Sequence, residues 1–346
     1  MSLACLQNGV PLAAALIAAG ILAVSSFAGS PKIIIAHRGA SGYLPEHTLE
    51  AKALAYAMGA DYLEQDVVLS KDDVPMVLHD ICIDTVTDAA RRFPDRKRPD
   101  GRYYAIDFTL AELKQLQATE RFDQGTGKAR FPRRFPIWQS SFQIPTFEEE
   151  LQLIQGLNKT TGKNIGIYPE IKAPAWHIKQ GKDISRIVLG ILDRYGYRSK
   201  SDRLFLQCFD FREVRRIRKE LGYQGRLVQL LSDNNSGESD TDYEYLRTRR
   251  GLEEVAAVAD AIGPALHHIA GRTADGQLTI SDLVRHAHEL RLEVHPYTLR
   301  ADALPAYAAT MEELLKIFFV QADVDGVFTD HPDLGAAFVR ARFGGR

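Results

Sequence analysis

Tyr62-Leu63-Glu64-Gln65-Asp66-Val67-Val68-Leu69 reads as a strand, and Leu63, Val67 and Val68 mark it as buried. Side chains alternate across a strand, so Glu64 and Asp66 share one face. Upstream, Ile33-Ile34-Ile35-Ala36 is a second short buried strand, and His37-Arg38-Gly39 follows it at once. Further strand candidates lie at residues 165–170, 204–209, 226–231, 261–263, 293–297 and 326–328. Between most of them, at 47–58, 184–195, 211–221, 252–259, 280–289 and 311–320, apolar residues recur at three and four positions, the helical period. Eight strands, most followed by a helix, predict an α/β fold of the (β/α)8 TIM-barrel type rather than an open doubly wound sheet. The chain of 346 residues is long enough for one such barrel.

Two segments stand outside that alternation. Residues 80–145 separate the second strand region from a helix predicted at 146–156, far too long for an ordinary βα loop. This insertion contains a predicted helix at 109–118, with Thr109 and Glu112 spaced as a capping box, and the basic pairs Arg91-Arg92 and Arg133-Arg134. An insert of that length at a barrel's active face is expected to have its own structure and to cover the site. At the other extreme, residues 10–28 are apolar or small throughout and small residues follow around Ala28-Gly29. That run reads as a signal peptide or N-terminal apolar segment, so residues 1–30 are set apart from a 31–346 barrel domain, and export to the periplasm or secretion is expected. Lys+Arg total 43 against Asp+Glu 45, which argues against a nucleic-acid partner bound through a basic face. Three cysteines make no disulfide scaffold, although a single Cys82–Cys208 bridge stays open.

In a barrel, residues just past the C-terminal ends of strands point into the active face. His37 and Arg38 occupy that position after the first strand, and the Arg38 fork suits a phosphate or carboxylate. Two carboxylates such as Glu64 and Asp66, about 5 Å apart at an effective dielectric of about 20, repel by roughly 3 kcal/mol. A shared proton, a cationic side chain or a metal must offset that. Gly166-Ile167-Tyr168-Pro169-Glu170-Ile171-Lys172 adds a third carboxylate, Glu170, with Lys172 beside it on the same face. Oxygen donors without a Cys or His pair favour a hard cation, calcium or magnesium, over zinc. The alternative is a salt-bridge network inside the barrel built on Lys172 and Arg38. His79 closes a second apolar run, Pro75-Met76-Val77-Leu78, and is the natural partner of His37 as acid and base near neutral pH. Gln207 and Tyr297 also sit at strand ends, where substrate contact and plain barrel-mouth packing are equally good readings.

These residues carry a resemblance. His37-Arg38-Gly39, Pro45-Glu46-His47-Thr48, Glu64-Gln65-Asp66, Val77-Leu78-His79-Asp80, Tyr168-Pro169-Glu170-Ile171-Lys172, Gln207-Cys208-Phe209-Asp210, His295-Pro296-Tyr297-Thr298 and Thr329-Asp330-His331-Pro332-Asp333 are similar to motifs of the glycerophosphodiester phosphodiesterases. The likeness spans residues 33–335 and is nearest to the bacterial periplasmic type, which also carries a long insert after His79. It implies a divalent cation, calcium ahead of magnesium, on Glu64, Asp66 and Glu170. His37 and His79 would then act as general base and general acid, while Arg38, Glu46 and Lys172 surround the phosphate and the metal. The implied substrates are glycerophosphodiesters with choline, ethanolamine, glycerol or serine headgroups, cleaved to an alcohol and sn-glycerol 3-phosphate. Two departures are His47, where many relatives have Asn, and His331, where Phe is usual.

Two competing readings remain at this stage. One is a phospholipid-cleaving lyase or phospholipase D of the same barrel type, which needs an apolar rim that the insert does not supply. The other is a non-catalytic surface or solute-binding protein, which the presence of both His37 and His79 disfavours. No stable membrane partner is expected once the leader is removed, and homodimerisation stays open. His267, His268, His286 and His288 read as surface or outlying residues, Trp138 and Trp176 as packing, His177 as either loop packing or pocket mouth, and residues 233–242 as a solvated loop.

Overall fold

The computed structural model describes residues 31–344; the apolar segment before them lies outside the described residues. The strands are β1 (Ile33–Ala36), β2 (Tyr62–Leu69), β3 (Pro75–Val77), β4 (Gly166–Ile171), β5 (Phe205–Cys208), β6 (Arg226–Leu231), β7 (Ala261–Pro264), β8 (Ala270–Arg272), β9 (Leu278–Ile280), β10 (Glu293–Val294) and β11 (Gly326–Thr329). Eight of them form the parallel order β10-β7-β6-β5-β4-β2-β1-β11. Backbone bonds from Asp325 N–H to Val294 O (3.1 Å), Phe328 N–H to Pro296 O (3.0 Å) and Leu299 N–H to Phe328 O (2.8 Å) join the two ends. The result is a (β/α)8 barrel, as the alternation predicts.

A helix follows each barrel strand or its loop, and short polar residues start most of them. Thr48 accepts from Ala51 N–H, Asp183 from Arg186 N–H, Asp210 from Arg212 and Glu213 N–H, and Thr248 from Gly251 N–H. Thr146 and Glu149 form a capping box at the helix Phe147–Thr161. Each such cap is worth about 1 kcal/mol. The helices bury their apolar stripes on the outward faces of the strands, where Leu63, Val67, Ile167, Leu206, Leu227 and Val327 make one continuous core. Inward-pointing Ile33, Ile35, Tyr62, Tyr168, Phe205, Val228, Ala261 and Phe328 fill the barrel interior. The Tyr168 and Phe205 rings stack at 5.1 Å, so this layer is a plug and the polar strand ends stand above it. Gly166 is required there, because a Cβ would meet the Tyr62 ring at 2.3 Å.

The insertion begins with β3, which turns back antiparallel on β2 through Val67↔Val77 and Val68↔Met76. Its own core of Ile83, Val86, Tyr103, Phe108, Leu113, Leu116, Phe142 and Ile144 is continuous with Val68 and Met76. The helix expected at 109–118 shrinks to Leu110–Leu113 behind its predicted capping box. Beyond it, Gln117 N–H is taken by Asp88 Oδ1 (2.8 Å) and Ala118 N–H by Phe142 O (2.8 Å), tertiary bonds that replace helical ones. Ile280, the expected start of the helix at 280–289, instead ends β9 in a hairpin with β8, and the helix runs Leu283–Glu289. The helix expected at 311–320 is α-helical over Met311–Lys316 and then π-helical over Ile317–Gln321. Cys82 and Cys208 are both buried free thiols, so the bridge left open by the sequence is absent. Among the described residues no helix is long and apolar enough to cross a membrane.

Candidate active site

The C-terminal ends of the barrel strands surround a cavity of about 400 Å³ whose lining includes His37, Arg38, Glu64, Asp66, His79 and Glu170. Strand register explains the convergence. Ala36↔Thr329 places His37 beside Asp330, and Asp66↔Glu170 sets two carboxylates side by side on adjacent strands. Arg38 adopts φ 58° and Gly39 φ 87°, a turn in which a Cβ on residue 39 would lie 2.8 Å from the Ala51 carbonyl carbon. That turn delivers the Arg38 N–H to Glu64 Oε2 at 2.5 Å. Gln207 and Tyr297 line the same cavity, whereas Glu46 and Lys172 stand behind it as partners of residues that do.

Both imidazoles are held by carboxylates. His37 Nδ1 lies 2.6 Å from Asp330 Oδ1, and His79 Nδ1 lies 2.6 Å from Asp80 Oδ1. A carboxylate only accepts, so Nδ1–H is the donor in each ring and Nε2 keeps the lone pair of a neutral imidazole. Burial, reinforced by the Arg38 charge, pushes His37 down to about 4. Burial and the Arg38 and Lys172 charges also lower His79. Asp330 stays ionised far below the usual carboxylate range: Arg300, His37 and Arg134 outweigh its burial.

The carboxylates behave as a strained set. Glu64, 1% exposed, is pushed well up by burial and by the Asp66 charge. Burial works in the same direction on Asp66, but His79, Lys172 and the bond from His47 hold it well below its ordinary value. Glu170 is raised by burial, with Lys172 opposing at 2.8 Å. A buried carboxyl group pushed up beside a neighbour that is held down marks a site short of positive charge. These oxygens, with the unpartnered buried Oε1 of Gln207 in the same cavity wall, fit a hard divalent cation. Ligand-capable atoms of His47, Glu64 and Asp66 lie within 4.8 Å of one another, a group that does not include Glu170.

His47 itself belongs to a buried support. Its Nε2 donates to Asp66 Oδ2 (2.8 Å), and Lys52 reaches its Nδ1 (3.5 Å), the Glu64 carbonyl (2.5 Å) and Glu150 (2.8 Å). Lys52 and Glu150 are both fully buried, and burial lifts Glu150 to about 7 despite Lys52. Lys52→Met alone should therefore destabilise the fold by about 3–5 kcal/mol by stranding Glu150. Lys52→Met with Glu150→Leu should recover most of that loss in urea unfolding. Equal loss in the single and double variants would contradict the pairing.

Several site residues carry no signal strong enough to be singled out from the sequence. Asp80 and Asp330 stand within the motifs quoted above, each next to a residue at a strand end. Arg121, Arg134 and Arg300 arrive from distant loops. Glu238 and His267, on segments expected to be solvated or outlying, line the cavity, and Glu238 lies 3.6 Å from Lys172. His177, by contrast, is a buried tie that accepts from Leu69 N–H (3.2 Å) and bonds the Ala173 carbonyl. Trp176 stacks on Tyr104 at 5.6 Å as packing against the insert, and His331 packs edge-on against Tyr43.

Residues 37–334 match the Glycerophosphoryl diester phosphodiesterase family. A glycerophosphodiester phosphodiesterase of Haemophilus influenzae is 44% identical, over 95% of this chain and 98% of its own length. One from Treponema pallidum is 42% identical, over 90% and 92%. In fold, the chain resembles an Oleispira antarctica phosphodiesterase solved in complex with the product sn-glycerol-3-phosphate. The TM-score is 0.57 at 20% identity, covering 90% of this chain and 97% of that one. With barrel, insertion and strand-end residues in place, this chain belongs to the glycerophosphoryl diester phosphodiesterase family.

Proposed function

We propose that the protein hydrolyses glycerophosphodiesters to an alcohol and sn-glycerol 3-phosphate, with Glu64, Asp66 and Glu170 holding one divalent cation, calcium ahead of magnesium. The observation that carries this reading is the pair of carboxylate-held neutral imidazoles, His37 and His79, lining one cavity with three buried carboxylates and Arg38. Its volume of about 400 Å³ suits a small diester better than a two-chain lipid. The exposed large apolar side chains, among them Trp138, Ile178, Leu278 and Ile280, do not line it, which disfavours a bilayer-bound lyase. The apolar segment at residues 10–28 supports export to the periplasm or secretion.

In this mechanism Arg38 orients the phosphate and opposes its charge, while Lys172, behind the cavity wall, holds Glu170 at 2.8 Å and adds its charge at longer range. His37 takes the proton of the attacking hydroxyl at Nε2, and His79, once it has taken up a proton from solvent at Nε2, gives that proton to the departing alcohol oxygen. When bound, the cation supplies stabilisation of the charge that grows on the non-bridging oxygens. The glycerol 2-hydroxyl is the attacking group on one route: the new O–P bond closes a cyclic phosphate as the headgroup O–P bond breaks, and water then opens the ring. A 2-deoxy analogue of the glycerol half should then lose about 10²-fold in kcat with little change in KM, because effective molarity is lost while binding persists. Normal turnover of that analogue would assign the attack to water directly. Choline, ethanolamine, glycerol and serine headgroups should be exchangeable, since each only leaves. The decisive assay is release of glycerol 3-phosphate from glycerophosphocholine, with a chelator and with calcium or magnesium restored. No release with either ion would overturn the reading.

A further inference from the structure

We propose that the insertion supplies the positioning residues of the site: Arg121 fixes His79 through Asp80, and Arg134 fixes His37 through Asp330. This rests on the acid–base reading above. The geometry of the two dyads is parallel. In each, one carboxylate oxygen takes the imidazole and the other takes a guanidinium from the insert. Asp80 Oδ1 holds His79 while Oδ2 accepts from Arg121 Nη1 at 2.6 Å. Asp330 Oδ1 holds His37 while Oδ2 accepts from Arg134 Nη2 at 2.7 Å.

Each arginine also ties the insert to the barrel. Arg121 spans Asp80 and Glu46, giving Nη2 to Glu46 Oε1 (2.6 Å) and Nε to Oε2 (3.2 Å), while Glu46 in turn accepts from Arg38 (2.9 Å). Arg134 forks onto Asp302 (2.7 and 3.1 Å) and reaches the Ser41 carbonyl (3.2 Å). The insert core sets their places: Thr119 N–H and Phe122 N–H, on either side of Arg121, bond Val86 O and Thr85 O. A guanidinium is needed because an ammonium is a point charge and cannot bridge two carboxylates in one plane. The dyads differ in reserve. Asp330 has a second cation in Arg300 Nε at 2.8 Å, whereas Arg121 is the cation bonded to Asp80. Loss of Arg121 should therefore be felt more than loss of Arg134.

The test is a double-mutant cycle on glycerophosphocholine hydrolysis by the full chain. Arg121→Met should lower kcat by about 10- to 100-fold, as expected for a catalytic group displaced by about 1 Å, with KM within about threefold. Arg134→Met should cost less. Arg121→Lys should recover only part of the loss. In a His79→Ala background, Arg121→Met should cost less than about threefold further, because the group it positions is already gone. The same should hold for Arg134→Met in His37→Ala. If the two losses multiply in both cycles, the arginines act elsewhere and the proposal fails. Should a methionine variant not fold, as judged by thermal unfolding, the lysine variants run the same cycle. Wild-type protein that releases no glycerol 3-phosphate would refute the proposed reaction instead, which separates the two failures.

Discussion

Alanine at His37 should lower kcat on glycerophosphocholine by a factor of about 10² to 10⁴, and alanine at His79 should do the same. Cation binding should survive in both, because neither ring is among the three carboxylates assigned to the ion. The acid limb of the wild-type pH profile should reflect how His37 is buried. With its ring pushed down to about 4, it remains a neutral acceptor at neutral pH, so activity should fade only below about pH 5. That limb should disappear in the residual activity of His37→Ala. The same depression bears on stability. The unfolded ring, at its ordinary 6.5, takes up a proton before the folded one does. Folding should therefore weaken as pH falls from 6.5 towards 4 and show no His37 contribution above that window. Near-normal turnover in either alanine variant would remove that histidine from proton transfer.

Chelation should lower turnover by a factor on the order of 10³ or more, given what the loss of a preorganised charge costs at such a centre. Calcium should restore it. The same ion should stabilise the fold, by about 2.7 kcal/mol at a concentration one hundred times its Kd. Glu64→Gln separates binding from chemistry. Without calcium, this variant should unfold at or above the wild-type temperature, because a carboxyl pushed up by burial and by Asp66 has been replaced by a neutral group. With calcium, its unfolding temperature should not rise. A full calcium-dependent shift in Glu64→Gln would show that the ion sits elsewhere, and an absent shift in the wild type would remove the cation from the folded site.

The arrangement also explains why a site so rich in acids is stable at all. Glu46, Asp80, Asp66 and Asp330 are each countered by arginine or lysine within 4 Å. Glu64 is not: its partners are the Arg38 backbone N–H and a neighbouring Asp66. Glu170, raised as well, has Lys172 at 2.8 Å, so Glu64 is the raised cavity carboxyl without a cationic side chain within 4 Å, and a cation would be most effective there. The network around it holds the imidazoles and Arg38 in place, and the proposed ion would supply the positive charge that Glu64 lacks.

Periodicity determined the barrel. Buried runs such as Ile33-Ile34-Ile35-Ala36 and Tyr62–Leu69, alternating with helical stripes, have few other ways to cover both faces of a sheet. It also placed His37, Glu64, Asp66 and Glu170 at strand ends, because a period of two and a chain that must leave the sheet are local properties. The same reasoning reached Arg38, His79 and Lys172, and the family motifs added Glu46. Only the tertiary structure decided what holds them. That Arg121 spans Glu46 and Asp80, 75 and 41 residues away, or that Arg134 meets Asp330, 196 residues away, follows from how the insert's core docks on β2 and β3. The same docking cut the helix expected at 109–118 to Leu110–Leu113, where Asp88 and Phe142 outcompete helical bonds. Local sequence records which side chains a strand presents to the cavity. Long-range packing decides which charge answers each of them, since an ion pair depends on distance in space and leaves no period along the chain.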